Sequence, residues 1–356
     1  MLILGIETSC DETAAAVVKD GATQLSSVVA SQIDVHHAFG GVVPELASRK
    51  HIEAIAPVVR EALDSAGVQL DQIDGVAATQ GPGLVGSLLV GFSFAKALAF
   101  STGIPWIGVN HLEGHINSVF LEPDPPPFPF VALLVSGGHT AIYHVTAHTD
   151  IELMGQTRDD AAGEAFDKVS KMLGLGYPGG KVISDMAAQG DPRKVVFKRP
   201  YLDKTQYDFS FSGIKTGVNR YIQTAGLEDK DHIQDIAAGF QEAVVDVLSY
   251  KLLHAAQQKK CGHAAIVGGV AANTRLRSNV MGKAGQKGLT VHIPSPGLCG
   301  DNAAMIAAVG YHYLSKGITS ALDSDVYSRA RVPEPRRTEP QKTPGRRRKT
   351  SDIKSR

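Results

Sequence analysis

Blocks of apolar residues, cut by short polar turns, set the pattern of the first hundred residues. Residues 2–8 read as a buried strand, Ser9-Cys10-Asp11-Glu12 as a polar turn, and residues 13–19 as a returning strand of small and β-branched residues. Pro44–Ala66 has helical spacing, with Leu46, Ile52, Ile55, Val58, Val59 and Leu63 along its apolar side. A strand at 75–79 runs through Gly81-Pro82-Gly83 into a long helix of small residues, and residues 104–109 form another buried strand. The most apolar stretch, residues 83–109, is interrupted by Lys96, Ser101, Thr102 and Pro105. It predicts a buried helix and a strand, with no membrane span.

The opening strand–turn–strand recurs in mid-chain. Residues 130–135 are apolar, Ser136-Gly137-Gly138-His139 form a small polar turn, and residues 140–143 return. Two copies predict a duplicated α/β architecture with a ligand in the cleft between the halves. The Pro-rich residues 123–129 mark the boundary, giving a first lobe at 1–122 and a second at 130–320. Residues from about 160 to 225 read as a helical insert, with Asp160 as its cap, Phe166, Val169 and Met172 apolar, and a loop at 174–180. A long amphipathic helix at 235–258 follows, then strands at 264–268 and 289–293. A helix of small residues begins after Cys299-Gly300-Asp301-Asn302.

Composition adds bounds. At 356 residues, 43% hydrophobic and 20% charged, the chain fits a soluble protein of two domains with a large core. The formal net charge of zero hides an asymmetry: residues 331–356 carry ten Lys/Arg and three Asp/Glu, leaving the rest acidic. That segment reads as a disordered basic tail suited to a polyanion. Cys10, Cys261 and Cys299 are odd in number and widely spaced, which fits a reducing compartment. The first residues carry no basic segment and meet the carboxylate of Glu7 at once, so no secretory leader is read and a cytoplasmic location is expected.

The candidate chemistry starts at Asn110-His111-Leu112-Glu113-Gly114-His115. Asn110 is a good N-cap, with Glu113 in the capping-box position. His111 and His115, at i and i+4, share a helix face and can reach one metal ion. The positive end of the helix dipole is expected to keep both rings neutral. A zinc protease of the H-E-x-x-H type would need Glu at position 112, where Leu112 stands, and Glu113 lies about 200° around the helix from His111. Ser136-Gly137-Gly138 offers successive N–H groups to an oxyanion. Asp167 and Asp185 border the 174–180 loop as ribose acceptors or as surface acids. Gly268-Gly269 closes a strand and opens a helix, where α/β sheets admit nucleotides. Asp301 is either an N-cap or a third metal ligand.

Five motifs in this order closely resemble the bacterial tRNA N6-adenosine threonylcarbamoyltransferase family: residues 6–13, residues 110–115, residues 134–140, residues 268–273 and Gly300-Asp301-Asn302. The family shares its superfamily with actin, hexokinase and Hsp70, and the resemblance spans residues 1–320. It implies two duplicated actin/hexokinase-like lobes, α/β in class, with a nucleotide cleft between them and a helical insert. It implies metal ligands at His111, His115 and Asp301, with Fe2+ or Zn2+ as the ion. It implies substrate contacts at Leu134, Val135, Ser136, Gly137 and Gly138, nucleoside contacts at Asp167, Gly180, Asp185 and Asn273, and a functional carboxylate at Asp11. The implied reaction moves a threonylcarbamoyl group from threonylcarbamoyl-AMP to N6 of adenosine 37 in the anticodon loop of tRNAs reading codons that begin with A. The implied partners are that tRNA, an inactive paralogue as heterodimer subunit, and a small ATPase that uses ATP and releases ADP; no membrane is involved.

Competing readings are a small-molecule kinase or ATPase on the same fold, which has no need of the His pair, a metalloprotease, and a non-catalytic paralogue expected to lack the pair. Deleting residues 331–356 is expected to weaken tRNA association in a salt-dependent way. Unchanged binding at low salt would make the tail incidental.

Overall fold

The computed structural model describes residues 1–329 other than 202, 204, 228 and 229; the basic tail lies outside the described residues. Strands β1 (Leu2–Glu7), β2 (Glu12–Lys19), β3 (Thr23–Ser31), β4 (Gly75–Gly81) and β5 (Trp106–Asn110) form one sheet in the order β3-β2-β1-β4-β5. Strands β6 (Phe130–Val135), β7 (Thr140–Ala147), β8 (Asp150–Gln156), β9 (His263–Val267) and β10 (Thr290–His292) form a second sheet in the order β10-β9-β6-β7-β8. The two sheets correspond strand for strand. In each, the first three strands are antiparallel neighbours, and the fourth and fifth add in parallel on the other side.

Alternation within the strands sets the layers. In the first sheet Leu4, Ile6, Ala15, Val17, Val76 and Ala78 bury against the helices Pro44–Ala66 and Val85–Thr102. Ile3, Ala14, Ala16, Val18, Ala77 and Ile107 bury against the opposite layer. In β6, Val131, Leu133 and Val135 face the helices between β8 and β9, while Phe130, Ala132 and Leu134 face the histidine helix His111–Asn117. Residues 32–74 join β3 to β4, and residues 157–262 join β8 to β9. The longer connection holds three extra helices, Ala162–Met172, Gly179–Ala187 and Ser212–Ala225, before the long helix Lys230–Gln258.

Several elements differ from the sequence reading. The edge strands β3 and β8 are half-exposed, with Ser, Thr, Gln and Glu among their residues, so no apolar run announces them. On Pro44–Ala66 the buried row is Ala47, His51, Ile55, Val58, Val59 and Ala62, with Ile52 66% exposed. The face is turned because His51 is drawn inward by hydrogen bonds to the first hairpin. Asp160 does not cap the insert. Ala161 is the N-cap, and the Asp160 carboxylate pairs with Lys168 at 2.8 Å and Lys215 at 2.7 Å.

The last helix, Ala303–Leu314, follows the second sheet in sequence but lies on the first, covering Ile3, Ala16, Ala77 and Ile107. Small residues permit the approach. A Cβ on Gly5 would meet the Ala303 carbonyl at 2.1 Å, and one on Gly114 would meet Ile306 at 2.8 Å. The chain then stays with the first sheet. Ser320 donates its N–H to the Trp106 carbonyl at 2.9 Å, and Asn110 Nδ2 donates to the Tyr327 hydroxyl at 3.0 Å. The histidine helix is thus held between the second sheet and the last helix.

Gly5→Ala is expected to destabilise the protein by about 1–3 kcal/mol through overpacking, because the last helix must shift away from β1. Thermal melting checks it; an unchanged melting temperature would mean the contact is softer than described.

Candidate functional site

The site is assembled where the ends of three secondary-structure elements meet. The first is the end of β1, where Glu7, a carboxylate on an otherwise apolar strand, is fully buried. It accepts from the Ser9 N–H and, through Oε2, from Thr79 Oγ1 at 2.6 Å. The second is the start of the histidine helix. Asn110 caps it as expected, its Oδ1 accepting from the N–H groups of Leu112 at 2.8 Å and Glu113 at 3.3 Å. The Glu113 carboxylate accepts from the Tyr313 hydroxyl at 2.9 Å. The third is the turn ahead of the last helix. Asn302 caps that helix by accepting from the Met305 N–H at 3.0 Å, so the neighbouring Asp301 carboxylate is left for the site.

His111 Nδ1 lies 3.0 Å from Glu7 Oε2, which fixes the proton on Nδ1 and turns Nε2 toward Asp301 at 3.6 Å. His115 Nε2 lies 3.1 Å from the same Asp301 oxygen. The imidazoles meet edge to face, with centroids 4.6 Å apart. One donor atom from each of His111, His115 and Asp301 falls within 4.8 Å of the others. Two donors bound to a common ion at about 2.1 Å with tetrahedral or octahedral angles lie roughly 3.0–3.4 Å apart, close to the two His–Asp distances.

Charge supports the same fit. Burial alone would raise the Asp301 carboxyl, but the facing His111 and the His115 hydrogen bond hold it below the usual carboxylate range. Glu7 is likewise lowered by His111 against the opposing effect of burial. His111 departs from expectation: burial lowers it, but Glu7 and Asp301 together raise it to about 9. Two nearby carboxylates outweigh the helix dipole, even in the first turn where that dipole acts. Two carboxylates and one imidazolium leave one buried negative charge. A divalent ion taking the place of the imidazolium proton brings that sum to zero. Two nitrogens and one carboxylate oxygen suit Fe2+ or Zn2+.

The first-hairpin turn faces the same cleft. Asp11 is nearly buried and shares a hydrogen bond with Glu12, whose carboxyl is raised to about 9 by burial and then by Asp11 and Asp301. Burial, then Asp11, also pushes the Cys10 thiol well up. Asp167 is close enough to Asp11 to be raised by it after burial, and its Oδ1 accepts from the Gly179 N–H at 2.8 Å. A Cβ on Gly180 would meet open space.

The other residues expected to contact substrate lie in different surroundings. Leu134 and Val135 are fully buried strand residues, Leu134 against the histidine helix and Val135 against the insert, so neither side chain lines the cleft. The Ser136 N–H is committed to the His139 carbonyl at 2.8 Å, closing the turn. Gly137 and Gly138 are the exposed members of that motif. Asp185 is exposed. Asn273 is half-buried; its Oδ1 caps Thr274–Gly285 by accepting from the Leu276 N–H at 2.9 Å, and its Nδ2 donates to Gln241 Oε1 at 2.7 Å. Beside it a hollow of about 430 Å³ is lined by Ser184, Gln241, Glu242, Thr274 and Arg275 among others.

Two residues were absent from the candidate set. Glu7 had a visible signal, a carboxylate ending an apolar strand. His139 had only its place after Gly137-Gly138. It faces the cluster, and burial followed by the two imidazoles lowers it to about 4, so it is neutral near pH 7.

The TsaD family, tRNA N6-adenosine threonylcarbamoyltransferase, matches residues 23–308. The chain belongs to this family. A tRNA N6-adenosine threonylcarbamoyltransferase of Desulforapulum autotrophicum is 61% identical over 93% of this chain and 99% of that protein. One of Syntrophotalea carbinolica is 56% identical over 92% and 96%. Among solved structures, HypF of T. kodakarensis superposes with TM-score 0.62 at 14% identity, covering 89% of this chain and 48% of that one. Component A of the (R)-2-hydroxyglutaryl-CoA dehydratase of Acidaminococcus fermentans gives TM-score 0.52 at 16% identity, covering 88% and 99%. These two share the two-lobed α/β fold alone.

The raised Glu12 carboxyl gives a pH prediction. The folded protein keeps this proton up to about pH 9, while the unfolded chain loses it near the ordinary value of 4.5. Stability is therefore lost as pH rises between those values. Glu12→Gln, neutral throughout, should melt higher than wild type in metal-free protein, with the gap larger at pH 8.5 than at pH 5. A gap independent of pH would show that Glu12 is ionised when folded.

Proposed function

We propose that the chain, as a member of this transferase family, moves the threonylcarbamoyl group of threonylcarbamoyl-AMP to N6 of adenosine 37 in tRNAs that read codons beginning with A, using a divalent metal held by His111, His115 and Asp301. The observation that carries this is the convergence of those three donors beside the Asp11–Asp167 cleft. Fe2+ or Zn2+ bound there supplies a Lewis acid for the acyl carbonyl.

The chain's own residues supply orientation and proton handling. Glu7 fixes the His111 tautomer and ring plane, a support commonly given to metal-binding imidazoles. The exposed N–H groups of Gly137 and Gly138 are donors for the phosphate of the leaving AMP. The nucleophile is an aromatic amine whose lone pair is delocalised into adenine, so its orientation matters more than its basicity. Asp11, at the rim of the cleft, accepts the amine proton as the C–N bond forms. An anticodon-loop base can be splayed into such a cleft.

The partners in this reading are the tRNA, an inactive paralogue of the same fold bound as a heterodimer, and a small ATPase that converts ATP to ADP to reset the complex. The exposed Ile52 on Pro44–Ala66 and Val85 and Leu89 on Val85–Thr102 offer apolar surface for a protein partner. The free thiols Cys10, Cys261 and Cys299 suit a cytoplasmic setting.

The test is transfer to tRNA transcript with threonylcarbamoyl-AMP and partner proteins, read as modified adenosine by mass. His111→Ala should lose bound metal and fall roughly 100- to 1000-fold in rate. Full transfer with undiminished metal content would contradict the scheme.

A further inference from the structure

A row of buried polar side chains runs from the Val43 amide to the Asp11 turn, and its protons have one consistent assignment. The Cys10 carbonyl only accepts, so His51 Nε2, 3.0 Å away, carries the ring proton. His51 Nδ1 is then a lone pair, accepting from Thr13 Oγ1 at 2.7 Å and from Gln32 Nε2 at 3.4 Å. Gln32 Oε1 accepts from His36 Nε2 at 3.2 Å, which leaves His36 Nδ1 to accept from the Val43 N–H at 3.3 Å. Gln32 also donates its backbone N–H to the Asp11 carbonyl at 3.0 Å. His36, His51 and Thr13 are fully buried, and Gln32 is 5% exposed. Burial holds His51 below its ordinary value, in keeping with a neutral ring.

Three apolar side chains of similar shape would fill this space without the desolvation cost of two imidazoles and a carboxamide. What the polar set adds is a grip on one particular turn. We propose that His51, its ring held by the Gln32 side chain, is a positioning residue for the Asp11 carboxylate. The His51 Nε2–H and the Gln32 backbone N–H hold the carbonyls of Cys10 and Asp11, the peptide units on either side of the Asp11 Cα, and so fix where its side chain points in the cleft. This rests on the reading of Asp11 as the group that takes the amine proton.

The experiment compares His51→Leu, His51→Gln and Asp11→Asn in the reconstituted transfer assay, with kcat and KM for threonylcarbamoyl-AMP, metal content and thermal melting for each. The Gln amide reaches the place of Nε2 and keeps the donor to Cys10; Leu keeps the bulk and loses the donor. His51→Leu should lower kcat roughly 10- to 100-fold with KM and metal content nearly unchanged, and His51→Gln should restore most of it. Wild-type kcat in His51→Leu, or equal loss in both His51 variants, overturns the proposal while an impaired Asp11→Asn leaves the reading of Asp11 standing. A fully active Asp11→Asn removes that reading and the positioning role with it. Should His51→Leu fail to fold, His51→Met, which also lacks the donor to the Cys10 carbonyl, takes its place: a fall in kcat at constant KM supports the clamp, and an unchanged kcat overturns it.

Discussion

The close seating of the Ala303–Leu314 helix on the first sheet is the constraint on which the site depends. Its helix-start turn carries Asp301, and its backbone approaches β1 so closely that position 5 has room only for hydrogen. The histidine helix is pressed against the same element at Gly114 while its Leu112 and Ile116 bury against the second sheet. Residues far apart in sequence therefore meet at the junction of the two lobes because of apolar packing. The polar atoms of the site are passengers on that packing, and their mutual distances are set by it.

Electrostatics then defines what the junction can hold. Glu7 and Asp301 are both kept ionised next to His111, and the three together leave an excess negative charge in a buried place. Water cannot screen it well, and burying an unbalanced charge is costly. Exchange of a single proton for a divalent cation removes the imbalance without moving any side chain far. Beyond the cluster, Asp11, Glu12 and Asp167 gather on the cleft wall. Their mutual repulsion is relieved by keeping a proton on Glu12, which leaves the cleft with less charge than its carboxylate count suggests.

Much of this was legible from residue order alone. The two hairpins were visible because buried central strands read as uninterrupted apolar runs, and their repetition gave the two-lobed plan. The Asn110 cap and the i, i+4 histidines are local features, so sequence fixes them directly. The edge strands β3 and β8 were not legible, since half-exposed polar strands lack a distinctive pattern. Nor was the return of the last helix to the first sheet, because nothing in a run of small apolar residues names the surface it covers. Local reasoning also misjudged His111, where a dipole argument was overruled by Glu7, a residue that only the fold brings near. Leu134 and Val135 were motif residues of the family, yet their side chains belong to the core, leaving Gly137 and Gly138 as the exposed part of that motif.

The central claim, one cation held jointly by two imidazoles and the late aspartate, is tested most directly by anomalous diffraction from metal-loaded crystals on both sides of the ion's absorption edge. The account predicts a single strong peak within bonding distance of His111, His115 and Asp301. A fully occupied ion elsewhere in the cleft, with these three side chains left hydrogen-bonded to one another, would contradict it.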